Sequence, residues 1–304
     1  MLQVPLILDQ IFQFLDKDSK TCFSLCSKAI YKLCCDRISK IEIKENIKDL
    51  GIFVLNNIPN KYKNVKELLF KKCNDLNYYF SSVLSNLENL EALHIYKSNI
   101  VDFSFLEKNI KIKELKLIKC KIKDDFSSLS KLENLLILEV IDSNIDIPFF
   151  WGKKKKIKKK KKRLKMMKPN NIKKLNNIKK LNLDSFSTLE DFTFLSNLQN
   201  LEYLSVYFNY KVTDITFLGT NKNIKELKLT FSRYEKKIVE ISFVSTLEKL
   251  EILFLKWSNI SDFSFMEKAK NIKKLTLIDC DKIKDYSFIS NLENLESLCI
   301  TKKI

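Results

Sequence analysis

Glycine and proline are scarce in this chain of 304 residues, which has 3 and 4 of them. Glycine forms the tight turns that cradle phosphate groups, but Gly51, Gly152 and Gly219 stand far apart. Neither the dinucleotide pattern G-x-G-x-x-G nor the phosphate loop G-x-x-x-x-G-K-[ST] can be written anywhere in the chain. The sequence therefore argues against a phosphate-loop enzyme.

Histidine is rarer still, with a single copy at His94. A Ser-His-Asp or Cys-His site needs a base held beside a nucleophile, so His94 would have to supply that base alone. Its position in the repeat described below already explains it as a residue on the surface of a strand. We expect no catalytic residue and no enzymatic activity.

Clustered metal ligands and export signals are also missing. The 8 cysteines form no C-x-x-C pair and no Cys/His cluster, so we expect no zinc site and no cofactor.

The first 16 residues have no basic residue before their apolar part, and Asp9 interrupts that part, which is unlike a secretory signal. No apolar run approaches membrane-spanning length, so we expect no membrane partner. Without export the thiols should stay reduced, which predicts the cytosol or the nucleus.

Internal repetition dominates what is present. Segments such as NLENLEALHI, NLQNLEYLSV and NLENLESLCI share an L-x-x-L-x-L frame. The anchor leucines follow one another at intervals of 22 to 26 residues, with one interval of 43. They are Leu68, Leu93, Leu115, Leu138, Leu181, Leu204, Leu227, Leu253, Leu275 and Leu298. An earlier segment around Ile41 and Ile43 predicts a degenerate first strand.

Each unit continues with a second recurring segment, as in NIVDFSFL, TLEDFTFL and NISDFSFM. A carboxylate stands just before an aromatic residue or Ile in these segments, at Asp102, Asp191, Asp214, Glu240, Asp262 and Asp285. A short carboxylate side chain there can accept the free N–H groups at the start of a helical turn. One such residue per turn predicts capping rather than a metal or catalytic ladder.

These two halves resemble the leucine-rich-repeat family, and the second half resembles its short-unit subclass, found in internalins and phosphatase regulators. The resemblance covers roughly residues 38–304. It implies an α/β solenoid of about ten to eleven units, with a parallel sheet on the concave side and short helical or 3-10 turns on the convex side. Alternation along each strand predicts that Leu93 points inward, with Phe103 and Phe105 filling the core from the other side.

Three cysteines, Cys73, Cys120 and Cys280, each follow a predicted strand. The leucine-rich-repeat family usually places Asn or Cys there, where the side chain bonds the backbone of the turn. Asn209 stands at the matching place in another unit. The resemblance therefore implies that these cysteines are structural.

A lysine tract at residues 151–170 contains 12 Lys/Arg and no acidic residue, which leaves +6 of the chain's +18 for all other residues. Subtracting these 20 residues from the 43-residue interval leaves 23, one normal repeat. We predict an insertion that loops out of one unit and is kept disordered by self-repulsion. A solvated insertion without a specific role is favoured over a nuclear-localisation signal or a nucleic-acid contact. We therefore do not expect nucleic acid as a partner.

Residues 1–37 predict a small helical head, because Leu8, Ile11, Phe12 and Leu15 recur at helical spacing. Asp16 and Asp18 are candidate caps of a second helix. Three short helices over about thirty residues are too small to fold alone, so they must pack on the repeats or on a partner.

The head resembles an F-box. The resemblance lies in Val4-Pro5, Ile11-Phe12, Phe14-Leu15-Asp16, Asp18 and the segment from Ser24 to Lys28, followed by Tyr31 and Leu33. It implies docking to a Skp-type adaptor of a cullin–RING ubiquitin ligase. The implied contact residues are Pro5, Leu8, Ile11, Leu15 and Leu25. The alternative is a helical cap over the first open repeat, which solenoids require.

A target surface is predicted where six aromatic residues from three neighbouring repeats converge. They are Tyr203, Tyr207, Phe208, Phe231, Phe254 and Trp257. Alternatively, Phe208, Phe231 and Trp257 turn back into the core. The chain ends at Ile304 with no polar capping segment after Leu298, so we expect either a protein covering the last unit or a longer natural product.

The sequence therefore predicts a protein-binding scaffold whose target it does not name. The leading hypothesis is the substrate-recognition subunit of a cullin–RING ubiquitin ligase. The alternative is a plain leucine-rich-repeat scaffold, such as a phosphatase regulator, without a ligase role.

Overall fold

The structure is a computed structural model, and the residues that it describes are 39–44, 64–73, 84, 87–101, 103–106, 109–122, 127–145, 175–186, 189–232 and 240–302. The F-box-like head, with its predicted contacts Pro5, Leu8, Ile11, Leu15 and Leu25, lies outside these residues. So does the lysine tract at 151–170. The predictions for both segments stay predictions.

Fourteen strands lie within the described part of the chain. In chain order they are Lys40–Lys44 (β1), Glu67–Lys71 (β2), Ala92–Tyr96 (β3), Asn99–Ile100 (β4), Glu114–Ile118 (β5), Lys121–Ile122 (β6), Ile137–Ile141 (β7), Asn144–Ile145 (β8), Lys180–Leu183 (β9), Tyr203–Phe208 (β10), Glu226–Phe231 (β11), Ile252–Lys256 (β12), Lys274–Ile278 (β13) and Ser297–Thr301 (β14). Eleven of them form one parallel sheet in chain order, and β4, β6 and β8 form a second, three-stranded parallel sheet.

Short 3-10 helices connect the strands on the opposite side of the core. They span Ser104–Leu106, Ser127–Lys131, Thr193–Asn197, Thr216–Thr220, Ser242–Thr246, Ser264–Lys268 and Ser287–Asn291. Strand, turn and 3-10 helix therefore alternate with the period of the sequence repeat. The predicted fold, a leucine-rich-repeat solenoid with a parallel sheet, is confirmed.

The anchor leucines form one buried column through the main sheet. Each pairs in register with its counterpart in the next repeat, as Leu93 does with Leu115 and Leu204 with Leu227. From Leu68 to Leu275 every member of the column has 0% exposure, whereas Leu298 in the last strand is 44% exposed. A repeat alone cannot bury its leucines, so each turn depends on its neighbours for its core.

The column continues across the 43-residue interval. Strands β7 and β9 are neighbours in the sheet, and Leu138 lies opposite Leu181. The sheet is therefore stacked here as it is between any two consecutive repeats.

Phenylalanines from the convex side complete the core. Phe103 and Phe105 are 0% and 2% exposed, and Phe192 and Phe194 are each 1% exposed. The ring centroids of Phe192 and Phe194 lie 6.4 Å apart. The prediction that the second half of each repeat fills the core opposite the leucines is confirmed.

The recurring carboxylates cap the 3-10 helices, as predicted. A side-chain oxygen accepts the backbone N–H two residues later in four repeats: Asp191 from Thr193 (2.9 Å), Asp214 from Thr216 (2.8 Å), Asp262 from Ser264 (2.8 Å) and Asp285 from Ser287 (2.8 Å). Glu240 differs, because it accepts the Ser242 hydroxyl at 2.5 Å. Asp102 lies outside the described residues.

A ladder of asparagines joins the turns that precede the strands. Each side-chain amide donates to a backbone carbonyl in the preceding repeat: Asn134 to Ile110 (2.8 Å), Asn177 to Glu133 (2.8 Å), Asn200 to Asn176 (3.0 Å), Asn223 to Gln199 (2.9 Å), Asn271 to Glu248 (2.6 Å) and Asn294 to Lys270 (2.8 Å). These bonds satisfy turn carbonyls that have no strand partner. They explain why Asn recurs four residues before an anchor leucine.

The cysteines that follow strands donate to the backbone, which confirms their predicted structural role. The Cys120 thiol lies 3.3 Å from the Ile95 carbonyl oxygen and 3.5 Å from that of Ile118. Cys280 lies 3.7 Å from the Leu255 carbonyl oxygen. Burial raises the pKa of Cys120 to about 11, so this thiol stays protonated at neutral pH.

Candidate protein-binding surface

The concave face of the main sheet displays the strand side chains that point away from the leucine column. The outward side chains of successive strands align in rows that run across the sheet. The first row is formed by the first outward residue of each strand and includes Glu67, Glu114, Tyr203 and Ile252. The second row includes His94, Lys116, Ser205, Lys228 and Phe254, and the third includes Tyr96, Ile118, Thr230, Lys256 and Ile278. The predicted alternation of inward and outward side chains along each strand is therefore confirmed.

Every strand from β2 to β13 in the main sheet has a neighbour on both sides. Their backbone hydrogen-bonding groups are thus used within the sheet, and a ligand on the concave face cannot add a strand to them. Recognition on this face has to come from side chains.

The N-terminal half of the face carries an ion-pair ladder that crosses the strands. His94 lies between two carboxylates, with Nδ1 3.4 Å from Glu67 and Nε2 3.0 Å from Glu114. The ladder continues through Lys116, which contacts Glu114 and lies 3.6 Å from Glu139. His94 is therefore a residue on the surface of a strand, as predicted, and it contacts carboxylates on both neighbouring strands.

Glu114 illustrates the electrostatics of this ladder. Its partial burial raises the pKa, but hydrogen bonds and charge from Lys116 and His94 outweigh that effect and leave the pKa below the ordinary value. The far end of the ladder is formed by Glu139, which accepts from Lys180 at 2.8 Å. Acidic and basic groups are thus matched within this half of the face.

The C-terminal half carries aromatic rings accompanied by lysines. Tyr203 and Tyr207 on β10 and Phe254 on β12 are half-buried outward side chains, as predicted. The ammonium groups of Lys180 and Lys228 lie 4.9 Å and 5.1 Å from the centroid of the Tyr203 ring. Such cation–π contacts hold the ring in place and leave its edge exposed.

The prediction that Phe208 and Phe231 contribute to the target surface is wrong. The two strands that end with these residues extend one position further than their neighbours, and the rings are 1% and 4% exposed. Phe208 packs edge-on against Phe192, with centroids 4.9 Å apart, and also lies 5.9 Å from Phe231. The core offers these rings more apolar contact than the rim of the sheet, so they turn inward.

Trp257 occupies the same place in its repeat but stays half-exposed. Its backbone is left-handed, with φ 55°. Its indole Nε1 donates to Asp279 at 2.9 Å, and the Lys256 ammonium lies 4.4 Å from the centroid of its ring. The ring is therefore fixed at the edge of the concave face, and of the three predicted rim aromatics only Trp257 remains at the surface.

The described residues contain no group of three or more His, Cys, Asp or Glu side chains arranged to hold a metal ion. In the same part of the chain, no helix has the length and apolar character needed to cross a membrane.

Known structures with a similar fold are leucine-rich-repeat proteins. An internalin from Listeria monocytogenes superposes with a TM-score of 0.57 and 20% identity, covering 89% of this chain and 75% of that one. A leucine-rich-repeat protein from Leptospira interrogans has a TM-score of 0.46 and 14% identity, covering 90% and 81%. These identities show the fold alone. No protein-family model matches the sequence, and no curated protein matches it.

Several residues of this surface were not among the predicted target contacts. Lys228 and Lys256 flank the aromatic side chains, and Ile278 lies beside Lys256 in the third row. All three stand at outward positions of their strands, and Lys256 directly precedes Trp257. Their place in the rows was the signal that could have found them.

Proposed function

We propose that this chain is a protein-binding scaffold that holds its target on the C-terminal half of the concave sheet. The observation that carries this proposal is the placement of half-buried Tyr203, Tyr207, Phe254 and Trp257 on one face of two repeats, separated by the single strand β11. Partly exposed aromatic side chains contribute much of the binding energy in protein interfaces. A fixed sheet presents them with little ordering cost on binding.

Affinity purification of the full chain followed by quantitative mass spectrometry tests this proposal. Tyr207→Ser removes an outward tyrosine, and Tyr210→Ser is the matched control, because Tyr210 is 56% exposed and lies beyond the strand. We expect a set of partners to be lost with Tyr207→Ser and kept with Tyr210→Ser. Equal partner sets for both variants and the wild type would count against binding at this face.

We further propose that the scaffold is a substrate receptor of a cullin–RING ubiquitin ligase, working in the cytosol or the nucleus. This proposal is supported by the F-box-like sequence of residues 1–37 next to a repeat domain suited to target binding. The head would dock a Skp-type adaptor through Leu8, Ile11 and their neighbours. Ubiquitin transfer would be carried out by other subunits.

Co-expression with a Skp-type adaptor tests the ligase role. We expect the adaptor to co-purify with the wild-type chain and to be lost from a variant carrying Leu8→Asp and Ile11→Asp. If the wild-type chain fails to retain the adaptor, the ligase proposal fails. Target binding that survives deletion of residues 1–37 would then favour a plain scaffold, such as a phosphatase regulator.

A further inference from the structure

The two halves of the concave face differ in charge balance. In the N-terminal half the outward carboxylates Glu67, Glu114 and Glu139 are each within 4 Å of a basic side chain of the same face. In the C-terminal half the outward charges on β10 to β13 are one carboxylate, Glu226, and three lysines, Lys228, Lys256 and Lys274. These strand positions therefore carry more positive than negative charge, and Asp279, one position beyond β13, adds a carboxylate that is engaged by the Trp257 indole.

Two of these three lysines are not neutralised by a carboxylate of the described chain. Lys228 pairs with Glu226 at 2.8 Å. For Lys256 and Lys274 no ion pair is formed among the described residues, and Lys256 instead lies over the Trp257 ring at 4.4 Å. A partner carboxylate could pair with Lys256 without breaking an existing ion pair.

The apolar side chains lie between these charges. Phe254 lies directly opposite Lys228 on the next strand, and Lys256 lies directly opposite Ile278. Neighbouring strands are about 4.8 Å apart, and alternate residues on a strand are about 6.8 Å apart. We name the five residues Lys228, Phe254, Lys256, Trp257 and Ile278 the basic-aromatic patch, which is small enough for one short segment to cover.

We propose that the basic-aromatic patch binds an acidic protein segment that carries a large apolar side chain. This inference rests on the proposed function of the concave face and names the chemistry of the partner. The apolar side chain packs against Phe254 and Ile278, while acidic residues on either side pair with Lys228 and Lys256. Opposite charges across the interface favour association and select against basic partners.

The same lysines and rings could in principle suit single-stranded nucleic acid, in which bases stack on aromatic faces. The geometry favours a protein segment instead. The Trp257 ring already has Lys256 over it, and Tyr203 has Lys180 and Lys228 over its ring.

A random library of 12-residue peptides displayed on phage, selected against the full chain, tests the proposal. We expect the selected peptides to be enriched in Asp and Glu around a large apolar residue. A synthetic copy of a selected peptide should bind the variant carrying Lys228→Glu and Lys256→Glu at least about tenfold more weakly than the wild type, the change that a loss of about 1.4 kcal/mol produces.

Lys71→Glu is the matched control, because Lys71 holds the same outward position in an early repeat as Lys256 does in a later one. Circular dichroism confirms that each variant is folded. If the peptide is lost equally with Lys71→Glu, or if the selected peptides are not acidic, the proposed partner chemistry is wrong while binding at the concave face stands. If peptides bind but no concave substitution weakens them, the proposed function fails as well. Competition by an unrelated single-stranded oligonucleotide would overturn the choice of a protein segment.

Discussion

Trp257 and Asp279 join two successive repeats through a hydrogen bond of 2.9 Å between the indole Nε1 and a carboxylate oxygen. Both residues have left-handed backbones, with φ 55° and 51°. The side-chain contact is thus made between equivalent positions of adjacent turns. It orients the Trp257 ring at the rim of the concave face, within the basic-aromatic patch.

Removing this hydrogen bond should weaken the chain modestly. Trp257→Phe keeps an aromatic ring but lacks the N–H, so we expect the free energy of unfolding to fall by about 1 kcal/mol, the usual net value of one hydrogen bond. Asp279→Asn keeps an acceptor oxygen and should cost less. Urea unfolding followed by circular dichroism measures both changes. A larger loss for Asp279→Asn than for Trp257→Phe would contradict this account of the pair.

The leucine column offers a direct comparison between a buried position and its exposed counterpart. Leu204→Ala leaves a cavity at a position with 0% exposure and should cost about 2–5 kcal/mol. Leu298→Ala alters the same place in the last strand, where the side chain is 44% exposed, and should cost much less. Thermal unfolding of the two variants measures the difference. Equal losses of stability in the two variants would contradict the view that burial between stacked repeats is what makes these leucines stabilising.

The capping carboxylates predict sensitivity to acid. Hydrogen bonds from Thr216 lower the pKa of Asp214, and those from the backbone N–H and hydroxyl of Ser287 lower that of Asp285. Because the folded pKa lies below the unfolded value of 3.8, the caps stabilise the fold at neutral pH. That contribution is lost as pH falls through the folded pKa.

We therefore expect the urea midpoint of the wild type to drop as pH falls from about 4 towards 2. A variant in which Asp214, Asp262 and Asp285 are each changed to Asn keeps the capping oxygens without their charge. Its midpoint should fall less over this window, although other carboxylates still contribute. If the urea midpoints of the two proteins fall equally with pH, the capping carboxylates do not cause the acid sensitivity.

Cysteine reactivity should separate buried from exposed thiols. Cys120 is buried with its pKa raised to about 11, whereas Cys299 in the last strand is exposed. With iodoacetamide at about pH 8, only the thiolate reacts at a useful rate. Peptide mass spectrometry should therefore find Cys299 alkylated quickly and Cys120 protected until the chain is unfolded. Rapid labelling of Cys120 in the folded chain would argue against its structural role.

The sequence was sufficient to predict the solenoid, the buried anchor leucines and the alternation of inward and outward side chains. A strict repeat period fixes which residues of successive turns are opposite one another, and strand alternation then fixes which side chains point inward. Leu138 and Leu181 could be matched across an interval of 43 residues because the flanking repeats set the register.

The rim aromatics could not be predicted in the same way. Phe208, Phe231 and Trp257 each stand four residues after an anchor leucine, so spacing alone treats them alike. The backbone at this position is left-handed at Lys72, Lys97 and Trp257, but β10 and β11 continue in extended form. The difference depends on core contacts such as that between Phe208 and Phe192, which come from a neighbouring turn.

The juncture between β7 and β9 has a consequence for protein engineering. These strands pair in register although residues 142–179 separate them along the chain. The interface between the two parts is made by stacked side chains and ladder hydrogen bonds rather than by a short covalent link. Two polypeptides divided within this segment and produced separately should reassemble into the full array, which would make the juncture suitable for fragment-complementation reporters.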